Sequence, residues 1–334
     1  MRQNDPPMPS TRHRLLVALA AAVLAMVVAS IKARQWGYIA DFSVFWFGAV
    51  ELVQGRDPYA LQLTTLPGFR FDSGFLYPLP AAVVLAPFAL VPLWQSGLLF
   101  VGLSMGALAW ALTRESWDRW PILLSFPALW SVGSGQWAPL VTAAALSPSF
   151  AWAAACKPTL GIAAFLRNPS WRFVWIGAVP VVIASFLMPD WPYRWRVAVE
   201  GAPAGNYHIP LLQPFGFLLL GALARWRDPD ARLLLGMSVV PQTFLVYDQL
   251  PLLLLARTRT QSYLFSLYSY LSLWGAVYAM QSFGMDAPSK AQSLVYLARA
   301  TTWLWYLPLL AFVLSPRRSC GPVAISPTPF SSCS

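Results

Sequence analysis

Charge is what this 334-residue chain has least of. Asp, Glu, Lys and Arg make up 11% of it, where a soluble domain carries about 25%. The length therefore does not read as two soluble domains. Carboxylates are the scarcer sign, 13 against 23 Lys and Arg, for a net charge of +10. His13 and His208 lie far apart, which argues against a two-histidine metal site. Cys156, Cys320 and Cys333 have no metal-ligand spacing and suggest no disulfide framework. The chain also lacks G-x-x-x-x-G-K-[ST], H-E-x-x-H and G-x-S-x-G. Its arginines are spread over short connectors and form no basic patch interleaved with aromatics, which sets nucleic acid aside. Gly133-Ser134-Gly135-Gln136 is glycine-rich but follows no strand, so it reads as a break between two helices and not as a phosphate loop.

What is abundant is apolar. Hydrophobic residues are 57% of the chain, and 17 tryptophans suit the interfacial belts of a membrane protein. The reading is an all-α, polytopic transmembrane bundle of about ten to twelve spans, one domain over 1–314 with a disordered Ser/Pro-rich tail at 315–334. Leu15–Ile31 is the first span. A cleaved signal peptide is the alternative, and the many apolar runs downstream favour an uncleaved span. Further spans are expected near 79–91, 93–112, 120–132, 136–147, 149–166, 171–187, 209–224, 232–243, 245–256, 262–280 and 294–314, several short enough to be tilted halves or re-entrant pieces. The basic connectors 167–172, 225–232 and 257–261 place those loops and the N-terminus in the cytoplasm. Loops 32–78, 188–208 and 281–293 then lie outside, and only 113–120, with Arg114 and Arg119, breaks the pattern.

The stretch from Asp41 to Pro80 organises the rest. Asp41 sits just beyond the first apolar run, and a carboxylate at a membrane edge is costly unless solvated, paired or used. It also stands where an N-cap would, ahead of a helix over Phe42–Val53 that lies in the outer interface or against the bundle. Gly55 followed by Pro58 ends that helix. Residues 60–76 read as irregular loop, and Tyr77-Pro78-Leu79-Pro80 opens the next helix. Arg56 and Asp57 are adjacent and of opposite sign, so a loop ion pair is the plain reading. Lys157 interrupts an apolar run and either faces an anion or a cavity or snorkels. Asn206 and His208 end the second outer loop, and Asp248 lies between two short apolar pieces, where a solvated turn is the alternative to a site role.

The string DFSVFWFGAVELVQGRDPY at 41–59 resembles polyprenyl-phosphate-dependent glycosyltransferases of the GT-C class, most closely the DUF2029 group, glycosyltransferase family 87, which includes bacterial alpha-mannosyltransferases. Tyr77-Pro78-Leu79-Pro80, Gly135-Gln136 and Lys157-Pro158 follow in the family's order, and the likeness covers roughly 35–260. The resemblance implies a multi-pass cell-membrane enzyme with an extracytoplasmic active site. It implies transfer of a hexose, mannose first, from a polyprenyl phosphate to a glycolipid or glycan acceptor by inverting displacement, with Asp41 as general base. Arg56, Asp57, Tyr59, Tyr77, Gln136, Lys157, Asn206, His208 and Asp248 are the candidate substrate contacts. Lys157, Arg56 and His208, and less directly Arg194 and Arg196, are the candidate partners of the leaving phosphate. No cofactor and no obligatory metal are expected, and no nucleic acid. The competing reading is a lipid or small-molecule transporter or flippase, which broken helices and an intramembrane lysine also suit.

Overall fold

The computed structural model describes residues 10–36, 39–60, 74–114, 116–201, 207–243, 246–282 and 297–315. Asn206, the tail from 316, most of the 60–76 loop and residues 283–296 fall outside them. Apart from turns and short connectors, the described residues are helical except for a two-residue antiparallel ladder, β1 (Tyr207–His208) against β2 (Gln242–Thr243).

Helix α1 (Thr11–Trp36) packs on α4 (Leu93–Leu112) through small residues. Ala18, Ala25, Ala29 and Ala33 are buried on α1, while Leu16, Leu19, Val23, Leu24 and Ile31 are exposed. Gly102 and Gly106 of α4 sit against Met26, Ala22 and Ala18, so close that a Cβ on Gly106 would stand 3.2 Å from the Ala18 carbonyl. Small residues inward and large apolar residues outward is how helices pack when the surroundings are as apolar as leucine. Among the described residues, three helices are long and apolar enough to cross a membrane: α1, α4 and α13 (Leu297–Leu314). A fourth counts if α9 (Trp171–Leu187) and α10 (Trp191–Glu200), bent by 96°, are one broken span. Leu79–Leu90 and Gly216–Arg225 are shorter apolar helices. α12 (Arg259–Ser282) buries Ser262, Ser266, Ser269 and Ser272 and exposes Leu264, Leu267, Leu271 and Trp274.

Three segments turn back on themselves and start and end at one end of the molecule. The first rises through a 3₁₀ turn (Trp120–Leu124) and α5 (Phe126–Ser134), reverses at Gly135 and descends as α6 (Ala138–Leu146). The second rises as α7 (Trp152–Cys156), breaks at Lys157 and descends as α8 (Pro158–Arg167). The third rises as α11 (Pro229–Val239) and returns as a 3₁₀ helix over Val246–Leu255. Their feet are tied together: Arg167 donates to the Ala145 carbonyl (3.4 Å) and to Asp230 (3.3 Å), Arg257 to Asp230 (2.9 Å), and Arg119 to the Ala256 carbonyl (3.2 Å).

That end is basic for a structural reason. Arg14 donates to the Trp110 carbonyl (3.0 Å), Arg232 to that of Leu166 (2.6 Å) and Arg225 to those of Val313 and Ser315 (2.8 Å each). Each guanidinium satisfies carbonyls that a helix C-terminus leaves open and meets the negative end of the helix dipole. Arg114, which bonds Ser147 (3.3 Å), and Arg119 belong to this same end. The apparent exception at 113–120 therefore disappears: the short α5–α6 and α7–α8 hairpins bring that loop beside the other basic connectors.

Candidate active site

The hairpin tips converge, and each brings a polar residue that the sequence had singled out. Gly135 ends α5 in the left-handed region, φ +71°, which glycine adopts without steric cost. A Cβ there would lie 2.6 Å from that of Phe42 and 2.8 Å from Ile39 Cγ2. This close approach lays the tip on the start of α2 (Ala40–Val53), where the Gln136 amide donates to the Asp41 carboxylate. Asp41 is thus not a cap: the N-cap of α2 is Ile39, with no side-chain capping bond, and Asp41 lies in the first turn with its carboxylate turned to Gln136. Burial pushes the Asp41 carboxyl above its ordinary range. The Gln136 hydrogen bond and the charge of Lys157 oppose that rise, and the charge of Asp248 adds to it.

Lys157 and Asp248 face each other. Lys157 Nζ lies 2.5 Å from Asp248 Oδ1, with side chains 9% and 1% exposed, and 4.6 Å from the centre of the Tyr247 ring. Lys157 therefore does not snorkel and Asp248 is not a solvated turn residue. The chain folds sharply here because Gly161 lets α8 return along α7; a Cβ on Gly161 would collide with the Ala154 carbonyl. The ten residues of α8 put Lys157 about 15 Å from the basic end. α1 carries the chain much further, about 27 Å from Arg14 to Lys32, and Gly133 lies beside Lys32. The Lys157–Asp248 pair thus sits deeper than Asp41 and Gln136, toward the middle of the molecule.

His208 is 7% exposed, not an exposed loop residue, and neither ring nitrogen finds a hydrogen-bond partner among the described residues. Burial lowers its pKa to about 4 against the opposing pull of Asp248. It is neutral at pH 7 and does not supply positive charge. Buried polar atoms of Gln136 (Oε1), Trp137 (Nε1) and Gln249 (Oε1) are likewise without partners, an arrangement that is costly unless a hydrogen-bonding ligand or water completes it.

A second group forms a rim. Asp57 binds the backbone of Tyr59 (2.9 Å) and the guanidinium of Arg194 on α10 (2.5 Å), which also holds Asp190 (2.7 Å). Arg56 does not pair with Asp57; it reaches back to Glu51 at 2.5 Å in an exposed pair. The Tyr59 hydroxyl donates to the Tyr77 carbonyl (3.2 Å), and Trp195 donates to that of Leu76 (3.0 Å). Helix α10 thereby straps the first loop. Phe45 connects rim to centre, packing on Tyr77 (4.3 Å) and Trp137 (5.9 Å).

The structure adds residues that the sequence reading missed. Tyr306 donates to Gln242 (2.6 Å), and Gln249 donates to the same oxygen (3.3 Å), beside Asp248. Two glutamines flanking an aspartate in an otherwise apolar segment were the available signal. No family model, no curated protein and no solved structure matches this chain.

Proposed function

We propose that the protein is a multi-pass membrane glycosyltransferase of GT-C type that moves a hexose, mannose first, from a polyprenyl phosphate to a glycolipid or glycan acceptor. The observation that carries the reading is the half-buried Asp41 carboxylate, held by Gln136 at the end of the first span and within electrostatic reach of Lys157 and Asp248. The basic end is cytoplasmic by the positive-inside rule, which puts Asp41 at the extracytoplasmic edge. There a lipid-linked donor and an acceptor can meet.

A sugar on a phosphate already has a leaving group, so displacement needs one base. The acceptor oxygen attacks the anomeric carbon, the C–O bond to phosphate breaks with its electron pair, and the acceptor proton passes to Asp41. The anomeric centre inverts. The raised pKa of Asp41 suits a base that works near neutral pH. Lys157 is set aside as the phosphate partner on depth: its side chain is 9% exposed, and it sits deeper in the molecule than Asp41. Arg194 takes that role. Its side chain is 40% exposed on the rim, where its two carboxylate partners hold it in place. The unpartnered atoms of His208, Gln136, Trp137 and Gln249 suit the hydroxyls of a neutral sugar. No step requires a metal.

The runner-up is a transporter or flippase, which the buried Lys157–Asp248 pair at helix breaks favours, since such breaks form transporter binding sites. Purified protein incubated with radiolabelled polyprenyl-phosphate mannose, glucose or arabinose and candidate acceptors separates the two. Labelled product is expected. Donor movement across proteoliposomes without product would favour the transporter.

A further inference from the structure

A cleft at the basic end has no part in this chemistry. It is a wide-open depression of about 790 Å³ lined by Leu223, Arg225, Trp226, Arg227, Asp228 and Pro229. The residues divide by task. Asp228 faces Arg257 (3.4 Å), and Arg225 Nη1 is turned to the Val313 and Ser315 carbonyls at the end of α13. Arg227 is exposed, and its guanidinium meets no acceptor among the described residues. Its own carbonyl and that of Trp226 are held by Arg232 (3.1 and 3.2 Å), which fixes the turn that presents it.

The cleft lies where a lipid headgroup would. α13, one of the helices able to cross a membrane, ends at Leu314, and the carbonyls on either side of that residue are the ones bonded by Arg225. Leading to the cleft is the 3₁₀ helix Gly216–Arg225, packed on α13 through Gly221 against Leu310 and Leu314. It exposes Phe217, Leu218, Leu220 and Leu223. Its ten residues span about 20 Å, comparable with one leaflet's hydrocarbon depth of about 15 Å. Trp226, 45% exposed, stands at the junction, the position that interfacial tryptophans favour.

From this juxtaposition we infer that the cleft is a site for the phosphate headgroup of an anionic phospholipid, with Arg227 as the charge that selects it and the Phe217–Leu223 face receiving an acyl chain. The positive charge is excess over what the fold consumes, and it is continuous with an exposed apolar track. A phosphodiester lipid satisfies both; a free anion satisfies only the first.

The test is lipid retention by the full-length protein in mixed micelles of phosphatidylglycerol and phosphatidylcholine, read by native mass spectrometry. Wild type is expected to retain phosphatidylglycerol preferentially. Arg227→Gln should lower the preference about fivefold, the effect of one basic residue near an anionic surface, and Arg227→Glu should lower it further. Arg172→Gln, the same charge change at an exposed arginine outside the cleft, should leave it intact. Thermal unfolding of the variants checks the fold, which Arg227 does not support. Equal retention of both lipids by wild type, an unchanged preference in Arg227→Gln, an equal loss in Arg172→Gln, or displacement of the lipid by millimolar inorganic phosphate would each overturn the inference.

Discussion

Lys157 and Asp248 show how a residue can be legible as unusual while its partner stays hidden. A lysine in an apolar run faces an anion or a cavity, or snorkels, and Lys157 meets an anion of the protein's own, Asp248. Removing one partner of a buried pair leaves the other uncompensated. Lys157→Met should therefore destabilise the protein by about 3–5 kcal/mol in denaturant unfolding, while Lys157→Met combined with Asp248→Leu should recover most of the loss. Equal destabilisation by the single and double variants would contradict a paired role. His208 makes a pH prediction. Its folded pKa is lowered from 6.5 to about 4, so the unfolded chain takes up a proton that the folded one refuses. The stability is complete above pH 6.5 and declines as pH falls toward 4, by about 3 kcal/mol in total. His208→Gln should flatten that acid limb of the stability curve. For Gln136 the sign is opposite in kind: its hydrogen bond favours ionised Asp41, so Gln136→Leu should move the acid limb of the pH–rate profile to higher pH. An unmoved limb would detach Gln136 from the base.

At the scale of elements, glycines and prolines decide where the tips fall. Gly135 combines a left-handed φ with a 2.6 Å approach to Phe42. Gly135→Ala should cost at least about 2 kcal/mol and uncouple Gln136 from Asp41, lowering activity more than stability explains. Much of this was legible. The break at Gly135, the stop at Gly55 (φ +70°) and the helix start at Leu79 with proline in its first turn all follow from backbone preferences. The extent of α9 follows from its apolar run, which carries no charge after Arg172 and continues through Pro180. What could not be read was the return of short segments: 149–166 looks like one span, and only the contact of Gly161 with Ala154 reveals a hairpin. The partners of Lys157 and Asp57 were also hidden, because pairing across 91 or 137 positions is a product of packing and not of local pattern. Gln242, Gln249 and Tyr306 were missed for the same reason.

The whole molecule has two unlike ends. Helix C-termini and their arginines gather at one; Asp41, the Asp57–Arg194 rim and α10 lie toward the other. This polarity predicts sidedness. In a background lacking Cys320 and Cys333, cysteine at exposed Gln54 should react with an impermeant thiol reagent in intact cells, and cysteine at exposed Arg172 only after lysis. The reverse pattern would invert the orientation and take the base to the wrong side for an extracytoplasmic donor. The sharpest test of the catalytic reading is turnover by Asp41→Asn with a labelled polyprenyl-phosphate sugar and its acceptor. Asparagine keeps the size of the side chain and an oxygen for Gln136 but cannot take a proton at neutral pH. Turnover should drop at least about a hundredfold while donor binding persists. Near-normal turnover by a folded, inserted Asp41→Asn protein would remove Asp41 as the base and leave the buried centre without a catalyst.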